Sequence, residues 1–64
     1  MKRWHLVAEP ADGADPYLSG HLMLVWEACG MGTRRWWSRR GAAYAAAVEQ
    51  AFFRGLLEVR AVKR

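Results

Sequence analysis

Gly20-His21-Leu22-Met23-Leu24-Val25-Trp26-Glu27-Ala28 (GHLMLVWEA) is the stretch on which the order of the whole chain turns. As a strand it puts Leu22, Leu24, Trp26 and Ala28 on one face, with His21, Met23, Val25 and Glu27 on the other. As a helix it would take Asp15 as cap and Pro16 at its first position, and stop before Gly30. Leu, Met, Glu and Ala favour the helix, and only Val25 is β-branched. The residues that follow, Cys29-Gly30-Met31-Gly32, make a natural hairpin loop into Thr33–Trp37. On that ground the strand is the expected form. The chain then reads β-β-β-α-β, an α+β domain in which a small antiparallel sheet is packed by one helix. If 20–28 is helical, the order becomes β-α-α-β.

Downstream, Thr33 to Gly55 (TRRWWSRRGAAYAAAVEQAFFRG) holds the one clean helical period. Ser38 is a good N-cap, since its hydroxyl can accept from the amide of Arg40 or Gly41. The alanines Ala42, Ala43, Ala45, Ala46 and Ala47 carry high helix propensity. On a 100° wheel Trp37, Tyr44, Ala47, Val48, Ala51, Phe52 and Gly55 share one side, the expected buried stripe. Arg39, Ala43, Ala46, Gln50 and Arg54 share the wet side. Val48 and Phe52 are therefore expected in the core, against Leu22, Leu24 and Trp26. Phe53 falls nearer the wet face, where an apolar side chain often marks an interface, the alternative being cover by the C-terminal strand or the long loop. Gly55 supplies a left-handed stop, and a period of two then gives a strand over Leu56–Val62.

Upstream, Lys2–Glu9 alternates, with Trp4, Leu6 and Ala8 opposite His5 and Val7, and Pro10 closes it as a strand. Residues 10–20 hold both prolines and the Asp12-Gly13 and Asp15-Pro16 pairs, a loop of turn formers. The 64 residues make a single domain near the lower size limit for unassisted folding, so a homodimer is expected. Cys29 is the only cysteine, which excludes a disulfide within one chain. The longest strictly apolar run, Leu22–Trp26, is too short to cross a bilayer, and Glu9-Pro10 interrupts any signal-peptide core. A cytoplasmic location is expected.

The net charge is +4, and its distribution is uneven. Residues 1–32 carry two basic and four acidic side chains, while residues 33–64 carry eight basic and two acidic. Little suits catalysis. The carboxylates are scattered, Cys29 has no base near it in sequence, and Ser38 is explained by capping. His5, His21 and Cys29 lack the paired spacing of a zinc site. Gly30-Met31-Gly32 lacks the lysine and longer glycine spacing of a phosphate loop. The chain is therefore expected to be non-catalytic, with no cofactor and no metal.

Arg34-Arg35-Trp36-Trp37-Ser38-Arg39-Arg40 is the informative run. Arginine meets phosphates bidentately and stacks on bases, and indole offers a π face beside it. As a strand, the run sets Arg34 and Trp36 on one face and Arg35 and Trp37 on the other, with Trp37 turned inward. The bland alternative is that arginine stems merely cover two core tryptophans. The expected partner-binding residues are Arg34, Arg35, Trp36, Arg39, Arg40, Phe53, Arg54, Arg60, Lys63 and Arg64. Their partner is nucleic acid or an acidic protein surface. No family is recognised; in outline only, three strands followed by a helix resemble the sheet-reading DNA-binding domains of phage integrases, and no sequence motif here matches them. A second reading is an inhibitor or adaptor of the kind compact mobile elements encode, which occludes a host protein or nucleoprotein assembly.

Overall fold

The computed structural model describes residues 2–30, 32 and 35–63. Its elements run β1 (Trp4–Pro10), α1 (Pro16–Ala28), α2 (Arg39–Phe52) and β2 (Leu57–Lys63). The fold is α+β, in the order β-α-α-β, and the meander β-β-β-α-β is corrected on two counts.

First, 20–28 is helix. Asp15 caps it, accepting a hydrogen bond from the Tyr17 N–H at 3.0 Å, with Pro16 behind the cap. Gly30, at φ 77°, takes the left-handed turn that ends it. Ser19, Leu22, Met23 and Trp26 form the inward face, spaced i, i+3, i+4, i+7. Ser19 fits that apolar stripe because its Oγ donates to the Asp15 carbonyl oxygen at 2.8 Å, which satisfies its buried hydroxyl.

Second, the strand expected over Thr33–Trp37 contracts to one bridge. Trp4 and Trp37 exchange both backbone hydrogen bonds, at 3.0 and 2.7 Å, and Ser38 then starts α2. Thr33 and Arg34 lie outside the described residues. Between the named strands the sheet is two-stranded and antiparallel, with Trp4 opposite Lys63, Leu6 opposite Ala61, Ala8 opposite Val59 and Pro10 opposite Leu57. The chain thus closes by pairing its two ends.

Leu6, Ala8, Leu57 and Val59 face the helices and form the core with Trp26, Ala42, Ala45 and Ala46. α2 lies along β2 and reaches β1, while α1 packs chiefly on β1. No Cα of α1 comes within 8 Å of a Cα of α2, so the helices meet through the sheet rather than through each other.

α2 is rotated from the expected wheel. Its inward face is Ala42, Ala45 and Ala46, continued by half-buried Glu49, Gln50 and Phe53. Tyr44, Val48 and Phe52, expected inside, point outward, with Phe52 79% exposed. Small residues face the sheet because the indoles of Trp4, Trp26 and Trp37 and the leucines of both strands already fill that space. Phe53, expected on the wet side, packs against this core, and its ring meets Phe52 edge-on at 4.9 Å.

Gln50 is the polar member of the inward face, and its partner is backbone. Its Nε2 donates to the Leu57 carbonyl oxygen at 3.0 Å, and its Oε1 accepts from the Val59 N–H at 2.6 Å. The side-chain amide thereby stands in for a peptide of a neighbouring strand along the open edge of β2.

Candidate nucleic-acid interface

The strand register decides which charges meet. Lys63, at the end of β2, lies opposite Trp4, near the start of β1, and Trp4 is bridged to Trp37, one residue before the α2 cap. Lys2, Arg3, Arg35, Arg39, Arg40 and Lys63 are thus carried to one end of the molecule, and all six are exposed. The protein measures 37 Å along its long axis. Toward the far end, Glu9 sits directly across from Glu58, followed by Asp12 and Asp15 in the connection to α1. Glu27, whose carboxylate closes over Gly32, is the acidic residue toward the basic end.

α2 adds to the positive potential. Ser38 accepts from the Gly41 N–H at 3.1 Å, which fixes the start of the helix and directs its unpaired amides into the arginine cluster. Gly41 fits beneath this cap because a Cβ there would stand 3.0 Å from Ser38 Oγ and 3.4 Å from the Trp37 ring. Arg39 and Arg40 therefore sit where a cation is repelled by the helix dipole. Among the described residues the sole ion pair is Arg60 with Glu9, at 3.4 Å. Lys2, Arg35, Arg39, Arg40 and Lys63 accordingly have no carboxylate partner within the described residues.

Aromatic surface accompanies the charge. The Arg35 guanidinium lies 4.3 Å from the centre of the Trp37 ring, a cation–π contact that holds the arginine over a half-buried indole. Alternation then sends Trp36 to the opposite face of the sheet from Trp37. There its ring meets His5 edge-on, with centroids 5.3 Å apart. His5, Val7 and Val62 line this outer face, and all are half-buried.

The other expected site residues fall elsewhere. Arg60 stands on the outer face of β2, engaged with Glu9. Arg54 lies in the turn beyond α2, about 21 Å of helix from Arg39. Phe53 belongs to the packing of α2 on the sheet. Arg34 and Arg64 lie outside the described residues. The sequence reading missed Lys2, Arg3, Trp4 and His5, which join the cluster only through pairing between the two chain ends.

Among the described residues no helix is long and apolar enough to cross a membrane. Among the described residues no three His, Cys, Asp or Glu side chains gather as a metal site would require. No protein-family model, curated protein or solved structure matches the chain.

Proposed function

We propose that the protein is a small non-catalytic module that binds nucleic-acid phosphates through its basic end. One observation carries the reading. Lys2 from the segment before β1, Arg35 from the α1–α2 connection, Arg39 and Arg40 from α2 and Lys63 from β2 converge on the positive terminus of α2 without carboxylate partners among the described residues. Such an arrangement costs the free protein stability through mutual repulsion and through the helix dipole. An arriving phosphate reverses both terms, because it neutralises the arginines and accepts from the free helix amides. Arg35, Arg39, Arg40 and Lys63 would grip the backbone. Trp36, beside His5, offers a ring on which an unpaired base could stack.

The test is binding of short single- and double-stranded DNA and RNA, followed by fluorescence anisotropy across a salt series. Each phosphate engaged steepens the log–log dependence on salt by about 0.7 to 0.9. A steep decline in affinity with salt supports the reading, and absence of binding to every nucleic acid at low salt overturns it. The second reading, an inhibitor or adaptor on a host protein, is favoured by the apolar residues that both helices expose, among them Tyr17 and Leu24 on α1. In that case the same arginines meet an acidic protein surface.

A further inference from the structure

α2 presents two parallel rows to the outside. Tyr44, Val48 and Phe52 form a ridge of large apolar side chains at intervals of four. Ala43, Ala47 and Ala51, one residue behind each, form a trough at the same interval. All six residues are exposed, and neither row contains a charge. This is unusual for an outward helix face, which ordinarily carries the polar residues while the large apolar ones turn inward. Here the inward positions are alanine and the outward ones aromatic.

We infer that this face is where a second copy of the chain docks, through antiparallel crossing of the two α2 helices about a two-fold axis near Val48. The fit is self-complementary in the sense that a two-fold interface demands. A ridge of i, i+4 side chains packs into the trough between such ridges on a facing helix, and each copy supplies both a ridge and a trough of equal spacing. Antiparallel crossing sets Tyr44 of one copy beside Phe52 of the other, and Val48 beside its own equivalent. The alanines let the backbones approach closely.

The helix dipole favours the same orientation. The arginine-bearing start of each α2 comes alongside the carbonyl-rich end of the other, where the dipole is negative. A parallel crossing would instead bring two arginine clusters together. The area is adequate for a reversible dimer. Tyr44 is 75% exposed and Phe52 79%, so at roughly 150–250 Å² for each whole ring the two offer on the order of 250–400 Å² per copy. Two copies, with Val48 and the alanines added, come to about the 1,000 Å² at which specific interfaces begin.

The inference does not rest on nucleic-acid binding. Sedimentation velocity over a micromolar concentration series is expected to show a monomer–dimer equilibrium for the wild type. Val48→Arg, which places two like charges at the axis, is expected to give monomer at every concentration with an unchanged far-ultraviolet circular dichroism spectrum. Tyr44→Lys tests the same face should Val48→Arg fail to fold. Tyr44→Lys is expected to be monomeric, and Tyr44→Lys combined with Phe52→Glu to dimerise again, because lysine and glutamate then meet across the crossing. A Val48→Cys variant in a Cys29→Ser background is expected to cross-link to itself on oxidation. A wild type that stays monomeric overturns the inference. So does a dimer that survives both charge substitutions, or a double variant that fails to recover.

Discussion

Gln50 does at the edge of β2 what another strand would do. Deleting its amide leaves the Leu57 carbonyl and the Val59 N–H without the partners they have in the half-buried seam under α2. Gln50→Ala is expected to cost about 1–3 kcal/mol in urea unfolding, the range for stranded polar groups. Gln50→Glu should not recover it, because a carboxylate can accept from Val59 but repels the Leu57 carbonyl. Similar apolar residues diverge sharply. Leu6 is fully buried between sheet and helices, so Leu6→Ala is expected to cost about 2–5 kcal/mol. Phe52 is mostly exposed, so Phe52→Ala should cost well under about 2 kcal/mol in the monomeric protein. Equal losses for the two variants in dilute solution would contradict the orientation of α2.

At the scale of elements, α1 is marginal by its own sequence and depends on its cap and its packing. Gly20 lies in its exposed interior at an ordinary helical φ, and a Cβ there meets no atom within 4 Å. Gly20→Ala is therefore expected to stabilise the protein by about 0.5–1 kcal/mol, and Asp15→Ala to destabilise it by about 1 kcal/mol, both read from the urea midpoint. Either sign reversed would place the start or course of α1 elsewhere. The start of α1 was written in the chain as Asp15-Pro16, and so were the Ser38 cap, the turn at Gly55 and the period of two through β2. Each depends on neighbouring residues alone. Two other features needed the rest of the molecule. Alternating apolar residues at Leu22, Leu24 and Trp26 imitate a strand, and the helical stripe becomes visible only when Ser19 is counted as inward-facing. The wheel of α2 found its large apolar stripe correctly as a pattern. Its direction was set by the space that tryptophans and leucines from other elements had already taken.

The molecule as a whole is a short rod with a basic and an acidic end, and its charge arrangement follows from pairing residues 4–10 with 57–63. Sequence showed the Arg34–Arg40 run, but not that Lys2, Arg3 and Lys63 lie beside it, because that depends on contacts across more than fifty residues. The same pairing separates Arg54 from the cluster and engages Arg60 with Glu9, so neither should contribute like Arg39 and Arg40. The most direct test compares the salt dependence of nucleic-acid affinity for the wild type, Arg39→Gln/Arg40→Gln and Arg54→Gln. The double variant is expected to bind more weakly, with a log–log salt slope shallower by roughly 2 units. Arg54→Gln should lie close to the wild type, and the thermal midpoint of the double variant should hold or rise slightly as two cations leave the helix start. A double variant with undiminished affinity and an unchanged slope, or an Arg54→Gln variant weakened as much as the double variant, would contradict the assignment of binding to the basic end.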